Sequence, residues 1–129
     1  MKISIITVCY NSQDTIEKTF QSVQNQTYKN IEYIVVDGGS SDATLKVVEK
    51  YRDLVSKFVS EPDDGLYDAM NKGIEMATGD LVGILNSDDI FTNTHVLDNV
   101  AKFHLANSVE ASVGNILQFN KEGKTIRKY

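Results

Sequence analysis

Apolar runs and helical stripes alternate along the first hundred residues. Three runs predict buried strands, at residues 3–8, 31–36 and 81–85, because aliphatic, mostly β-branched side chains dominate each of them. A short strand is predicted at Phe58-Val59, and residues 109–119 predict a further strand or two before a hairpin turn at 121–124. Continuous apolar strands are typical of a parallel sheet that is covered on both faces.

Four stretches have apolar residues at helical spacing. The first follows a predicted N-cap at Asn11-Ser12, the second follows the polar turn 37–42, the third ends at Gly79, and the fourth covers about 94–106. Their inward residues are predicted to be Ile16, Phe20 and Val23; Leu45, Val48 and Tyr51 or Arg52; Leu66, Ala69, Met70, Gly73, Ile74 and Ala77; and Leu97, Val100 and Ala101. This alternation predicts βαβ crossovers, and so an α/β fold with a mostly parallel sheet flanked by helices, in one domain of residues 1–129.

Composition narrows the classes of function. The formal net charge of −5 argues against a broad nucleic-acid surface, because binding a phosphate backbone relies on clustered lysine and arginine. The single cysteine, Cys9, forms no internal disulfide or thiolate metal site by itself. The opening apolar run is too short for a signal sequence or a membrane span. We therefore expect a cytoplasmic protein whose membrane association, if any, comes from parts outside this chain.

Polar side chains follow three of the predicted strands, at residues 7–11, 37–41 and 86–89. Ligands of parallel sheets gather at the carboxyl ends of strands. Adjacent carboxylates such as Asp88 and Asp89 repel and need a cation, a catalytic task or water. Oxygen ligands of this kind suit Mg²⁺ or Mn²⁺, which complete their shells with water and substrate phosphates. The alternative is that the aspartates only form a turn, and that Asp37 only caps the loop and the helix after it.

The first 95 residues contain four sequence blocks in order: ISIITVCYN, IVVDGGSSDAT, DDGLYDAMNKGIEMATGD and LVGILNSDD. In order and spacing they resemble the inverting glycosyltransferases of family 2, which have the GT-A fold and use nucleotide sugars. The resemblance implies that this chain is the amino-terminal, Rossmann-like nucleotide-binding half of such a domain. It also implies a UDP-sugar as donor and a saccharide or a lipid-linked molecule as acceptor.

The resemblance assigns roles on the side of the nucleotide base. Thr7, Tyr10 and Asn11 would line the nucleotide pocket, and Asp37 would accept a hydrogen bond from the N3–H of uracil. Asp64 lies in a turn that would flank the base, with a solvated acidic turn as the alternative.

Further roles fall on the diphosphate side. Lys72 would carry positive charge toward the nucleotide, or else be solvated on a helix face. Asn86, Ser87 and Asp88 match the three positions of the DXD-type motif, with Asp88 as the metal ligand and Asn86 and Ser87 as donor contacts. An aspartate is common where Asn86 stands, so the motif here carries one negative charge fewer.

An inverting transfer also needs a general base that takes the proton of the acceptor hydroxyl. No residue of 91–129 is assigned as this base: of the four titratable residues considered, His95 and His104 lie in the predicted helix beyond the motif, and Glu110 and Glu122 have no motif around them. Domains of this family continue further, so we expect an amino-terminal part, with exposed apolar surface that favours pairing of two copies.

Two other functions stay open at this point. One is a non-catalytic module that binds nucleotide sugars. The other is a receiver-type signalling domain, which would want an acidic pair after the first strand, where this chain has Cys9-Tyr10-Asn11.

Overall fold

The computed structural model describes all of residues 1–129 and contains six strands and four helices. The strands are β1 (Ile3–Cys9), β2 (Ile31–Asp37), β3 (Lys57–Ser60), β4 (Leu81–Ile84), β5 (Leu117–Phe119) and β6 (Thr125–Lys128). The helices are α1 (Ile16–Gln24), α2 (Thr44–Lys50), α3 (Leu66–Met76) and α4 (Val96–Ala106).

The first four strands form one sheet in the order β3-β2-β1-β4, and all three pairings are parallel. This confirms the predicted parallel sheet. Cys9 pairs with Asp37, and Asp37 pairs with Ser60, so these strands end at the same edge. The loops that follow β1, β2 and β3 therefore start side by side.

Helices cover both faces of the central strands. One face packs Ile5, Phe20 and Tyr33 into a core with residues of α4, and the other packs Ile6 and Ile34 against α3. Helix α3 lies very close to β1: a Cβ at Gly73 would stand 2.5 Å from Cγ2 of Ile6. Because each side of β1 is covered, all seven of its residues are buried, as its apolar run predicted.

Coverage fails at the β4 edge. Val82 and Ile84 of β4 are half exposed, although an apolar run covered on both faces was predicted there. Helix α3 packs on β1 and β2 and leaves the outer face of β4 open. The expected inward positions Leu66 and Ile74 of α3, and Leu45 of α2, are also about half exposed.

Two helix ends differ from the prediction. Helix α1 begins at Ile16, after a turn in which the carbonyl of Ser12 accepts hydrogen bonds from the backbone, and no side chain caps it. Helix α3 ends at Met76, before Gly79. Gly79 instead permits a close approach of two segments, because a Cβ there would lie 2.7 Å from the backbone nitrogen of Ser4.

The last part of the chain forms an antiparallel hairpin, β5–β6, around a turn that contains Gly123 at φ 82°. The predicted hairpin turn is confirmed. The strand expected from residue 109 is shorter than predicted, because residues 107–115 form no strand and pairing starts at Ile116, which exchanges two backbone hydrogen bonds with Tyr129. None of the four helices has both the length and the apolar character needed to cross a bilayer.

Candidate functional site

A cleft of about 950 Å³ opens at the carboxyl edge of the sheet. The loops after β1, β2, β3 and β4 and the first turns of α3 surround it. Its lining residues are Val8, Cys9, Tyr10, Asn11, Ser12, Asp14, Thr15, Gly38, Pro62, Asp63, Gly65, Leu66, Ala69, Asn86, Ser87 and Asp88.

Side-chain hydrogen bonds tie these loops together. The hydroxyls of Ser12 and Ser87 are 2.9 Å apart and join the loop after β1 to the loop after β4. The backbone N–H of Asn11 donates to the Ser40 hydroxyl at 2.8 Å and joins the loops after β1 and β2. Residues separated by up to 75 positions in sequence thus converge on one cleft.

Tyr10 and Asn11 line the cleft, as expected. The Tyr10 side chain is 63% exposed, so its ring is available to a ligand. Asn11 has a left-handed backbone with φ 48°, which asparagine tolerates better than most residues. Its Oδ1 accepts hydrogen bonds from the N–H groups of Ser41 and Asp42, so only its Nδ2 group is left to donate.

Thr7 does not line the cleft, which corrects the expectation that it belongs to the nucleotide pocket. It lies within β1, is fully buried, and its hydroxyl is 2.7 Å from that of Tyr33. Burial raises the pKa of the Tyr33 hydroxyl, which keeps this pair neutral. Because both faces of β1 are covered, Thr7 is directed into the core like its neighbours in the strand.

Asp37 is also absent from the lining, and its carboxylate is used within the protein. Oδ2 accepts hydrogen bonds from the backbone N–H of Gly39 at 3.0 Å and of Ser40 at 2.9 Å, and from the Ser60 hydroxyl at 2.7 Å. Oδ1 accepts from the Ser40 hydroxyl and from the Cys9 thiol. Burial alone would raise the pKa of Asp37, but these hydrogen bonds outweigh it and hold the pKa below its usual value.

The structure therefore places Asp37 as the cap of the loop after β2, one of the two roles that the sequence left open. The fully buried carboxylate has no exposed edge to offer a uracil ring.

Lys72 and Asp64 lie outside the cleft as well. The ammonium of Lys72 is 3.1 Å from the carboxylate of Glu61 and 3.8 Å from that of Asp68, and it donates to the carbonyl of Pro62. Lys72 thus fastens the loop before α3 instead of reaching into the cleft. Asp64 is exposed, and its backbone N–H donates to Asp68.

Asn86, Ser87 and Asp88 line the cleft together, as expected. The Oδ1 atom of Asn86 is buried and has no hydrogen-bond partner. A buried acceptor without a partner is costly and marks a place where a ligand atom could supply the missing contact. Beside it, burial and the charge of Asp88 raise the pKa of Asp89.

Helix α1 holds this loop in position. The Thr19 hydroxyl donates to the carbonyl of Asp89 at 2.7 Å, and the hydroxyl of Ser22 accepts from the N–H of Phe91. The buried side chain of Gln26 donates to the carbonyl of Asn93 and accepts from the N–H of Leu97. The loop after β4 is therefore anchored along its length.

The charged residues that line the cleft are all acidic: Asp14, Asp63 and Asp88, with no lysine, arginine or histidine. A multiply charged anion such as a diphosphate would be repelled there unless a cation accompanied it. No three acidic, histidine or cysteine side chains cluster as a complete metal cage. The donor set, one or two carboxylates and the free Oδ1 of Asn86, fits Mg²⁺ or Mn²⁺ that shares its shell with phosphates.

Some site residues were not assigned from the sequence. Asp63 lines the cleft where its neighbour Asp64 was expected, and Gly38 forms part of the wall. The Gly38-Gly39 pair was a signal for a close approach of a ligand, but nothing in the sequence distinguished Asp63 from Asp64. The four base candidates His95, His104, Glu110 and Glu122 do not line the cleft.

Comparisons with known proteins agree with this geometry. The model of the family "Glycosyl transferase family 2" matches residues 4–129. An uncharacterized glycosyltransferase of Mycobacterium tuberculosis is 42% identical over 96 residues, which are 74% of this chain and 37% of the relative. The Escherichia coli UDP-Glc:alpha-D-GlcNAc-diphosphoundecaprenol beta-1,3-glucosyltransferase is 35% identical over 101 residues, 76% of this chain and 39% of the relative.

Solved structures give the same fold. TarS residues 1–349 of Staphylococcus aureus, in complex with UDP-GlcNAc, matches with a TM-score of 0.75 and 32% identity, over 82% of this chain and 32% of TarS. A mannosyltransferase of Pyrobaculum calidifontis, in complex with GDP-Man and Mn²⁺, has a TM-score of 0.74 and 27% identity, over 88% of this chain and 34% of its own. The chain thus spans about a third of the proteins that it resembles.

Proposed function

Because the chain belongs to glycosyl transferase family 2, we propose that it forms the donor-binding part of an enzyme that transfers a hexose from a UDP-sugar. The observation that carries the proposal is the cleft at the carboxyl edge of the sheet. There the free Oδ1 of Asn86 lies next to Ser87 and Asp88 in a wall without cationic side chains. Such a wall suits a diphosphate that arrives with a divalent metal.

Asp88 is the proposed ligand of Mg²⁺ or Mn²⁺, and Asn86 and Ser87 are the proposed contacts to the donor. When bound, the metal would neutralise the charge that builds on the departing diphosphate. Ser12 supports this arrangement, because its hydroxyl holds that of Ser87 at 2.9 Å. Manganese in the Pyrobaculum mannosyltransferase structure supports the choice of metal.

Two relatives support UDP as the nucleotide of the proposed donor. The S. aureus structure is a complex with UDP-GlcNAc, and the name of the E. coli relative specifies UDP-Glc. Tyr10 supports a base at this cleft, because exposed aromatic rings offer a stacking surface to nucleobases.

The remaining features of the proposal concern the whole enzyme. The sugar is transferred with inversion to a hydroxyl of a saccharide or a lipid-linked acceptor, in the synthesis of a surface polysaccharide or glycolipid on the cytoplasmic side of the membrane. The exposed apolar residues Ile116, Phe119 and Ile126 of the hairpin segment support pairing of two copies. A donor-binding module without transfer is the second candidate, since none of the four base candidates lines the cleft.

Titration of the 129-residue chain with UDP, by calorimetry with and without Mn²⁺, tests the proposal. We expect binding with Mn²⁺ and a loss of at least about tenfold in affinity on chelation, because the acidic wall then faces the diphosphate directly. Asp88→Asn should lose a similar factor, while Asp53→Asn, which changes an exposed carboxylate that does not line the cleft, should bind as the unmutated chain does. Absence of UDP binding by the folded, unmutated chain would contradict the proposal.

A further inference from the structure

Gly38 leaves a space in the cleft wall that another residue fills. A Cβ placed at Gly38 would lie 2.7 Å from Oδ2 of Asp63 and 3.2 Å from its Cγ. Both residues line the cleft. The carboxylate of Asp63, from the loop after β3, therefore occupies the position that a side chain at 38, directly after β2, would take.

The Asp63 carboxylate is held in place, and one of its oxygens keeps its hydrogen-bonding capacity. Its Oδ1 accepts a hydrogen bond from the N–H of Gly65 at 3.0 Å, in a turn where Gly65 has φ 108°. The Lys72 ammonium bonds to Glu61 and to the carbonyl of Pro62, which fixes the backbone just before Asp63. Asp63 is half-buried and its Oδ2 accepts no hydrogen bond from the protein. It is thus a positioned carboxylate with one free oxygen.

We infer that Asp63, not Asp37, accepts the hydrogen bond from the N3–H of uracil. The inference rests on the proposed function, since it names the residue that reads the base of the same donor. Asp37 has its acceptor capacity filled by Gly39, Ser40 and Ser60. Asp63 lines the same wall as the exposed ring of Tyr10, which can stack on the base while the carboxylate meets its edge.

Uracil and cytosine differ in the hydrogen bond that their N3 atoms can make. Uracil carries a proton on N3, whereas cytosine has an acceptor lone pair there. A carboxylate accepts only, and an asparagine side chain also offers an N–H donor. The amide oxygen of an asparagine at 63 would keep the hydrogen bond from the Gly65 N–H, so its NH₂ group would take the position of the free Oδ2. In that arrangement Asp63→Asn exchanges a partner suited to uracil for one suited to cytosine, with nearly the same shape.

The experiment titrates the chain and its Asp63→Asn variant with UDP, CDP and GDP in the presence of Mn²⁺. The variant is expected to lose about 10- to 100-fold in UDP affinity, as for a hydrogen bond to a charged group. Its affinity for CDP should fall much less, so that the ratio of the CDP Kd to the UDP Kd drops about tenfold or more. Asp64→Asn, which removes the neighbouring exposed carboxylate, is the matched control and should leave the ratio unchanged.

Gly38→Ala gives an independent test that leaves the charge of Asp63 intact. The three atoms nearest to the added methyl group would all belong to the end of the Asp63 side chain, which can turn away, so the chain should fold with nearly unchanged thermal stability. Displacement of the carboxylate is expected to weaken UDP binding about tenfold.

The outcomes separate two failures. No nucleotide binding by the unmutated chain overturns the proposed function and the inference together. UDP binding that Asp63→Asn leaves unchanged, an equal loss for UDP and CDP, or a loss in Asp64→Asn instead each overturns the inference alone and leaves a donor site in place. Tighter binding of GDP than of UDP by the unmutated chain overturns the inference together with the choice of UDP as the donor nucleotide.

Discussion

The polar side chains at the two edges of the parallel sheet differ in how many hydrogen-bond partners they have. At the amino-terminal edge, Glu32 is buried and accepts hydrogen bonds from Ser4 and from the N–H and hydroxyl of Thr78, and it pairs with Lys57 at 2.8 Å. At the carboxyl edge, the Oδ1 of Asn86 has no partner and Asp88 is exposed. Hydrogen-bond networks in which every polar group has a partner stabilise a fold, whereas a ligand needs polar groups that are still without a partner.

Charge effects follow the same division. Burial alone would raise the pKa of Glu32, but the hydrogen bonds from Lys57, Ser4 and Thr78 outweigh it and hold the pKa far below its usual value. At the other edge, burial and the neighbouring Asp88 raise the pKa of Asp89, so its charge is disfavoured without a cation. Asp37 is the exception, because it lies at the carboxyl edge but, like Glu32, has its carboxylate oxygens occupied by hydrogen bonds from the protein.

The largest expected effect comes from removing the buried carboxylate at the amino-terminal edge. Glu32→Ala should lower the free energy of unfolding by about 3 kcal/mol, because it leaves the Ser4 hydroxyl and the N–H of Thr78 without their acceptor and Lys57 without its carboxylate partner. Chemical denaturation measures the change, with Glu49→Ala as the control. Glu49 pairs with Arg52 on the surface, where both side chains are more than two-thirds exposed, and should cost under about 1 kcal/mol. Equal losses in the two variants would contradict the comparison.

A smaller effect is expected at Asp37. Asp37→Asn should lower the free energy of unfolding by about 2 kcal/mol, because an amide cannot accept from all the donors that surround the carboxylate. The folded pKa of Asp37 lies below its unfolded value near 3.8, so its contribution is present above that pH and is lost as the pH falls through the folded pKa. The gap between the two proteins in denaturation should therefore narrow below about pH 3.8. A gap that persists unchanged into acid would count against this account.

The smallest effect is expected at Lys72. Lys72→Met keeps the stem of the side chain but removes the bonds to Glu61 and Pro62. If Lys72 only fastens the loop that carries Asp63, affinity for UDP should fall by less than about threefold, whereas a direct contact to the diphosphate predicts about tenfold or more. Calorimetry in two salt concentrations distinguishes these roles, since a direct contact would also make binding more sensitive to salt.

Local patterns predicted the architecture well because they report local physics. The continuous apolar runs of β1 and β2 follow from burial on both faces. The apolar run of β4 gave a wrong prediction of burial, because the residue types Leu81, Val82 and Ile84 do not show that one face of this strand stays open. Adjacent strand ends also followed from the parallel arrangement, which is why Tyr10 and Asp88 were placed in one cleft.

The alternation of strands and helices, the parallel sheet and the edge at which polar residues collect could be predicted from the amino-acid sequence, since they depend on spacing along the chain. Which carboxylates are free could be read only from the folded protein. Whether Asp37 or Asp63 faces the cleft depends on donors at or after the ends of three strands, such as Cys9, Ser60 and Gly65, and on the missing side chain of Gly38. Hydrogen-bond satisfaction is a property of the folded neighbourhood, and adjacent identical residues such as Asp63 and Asp64 can differ in it completely.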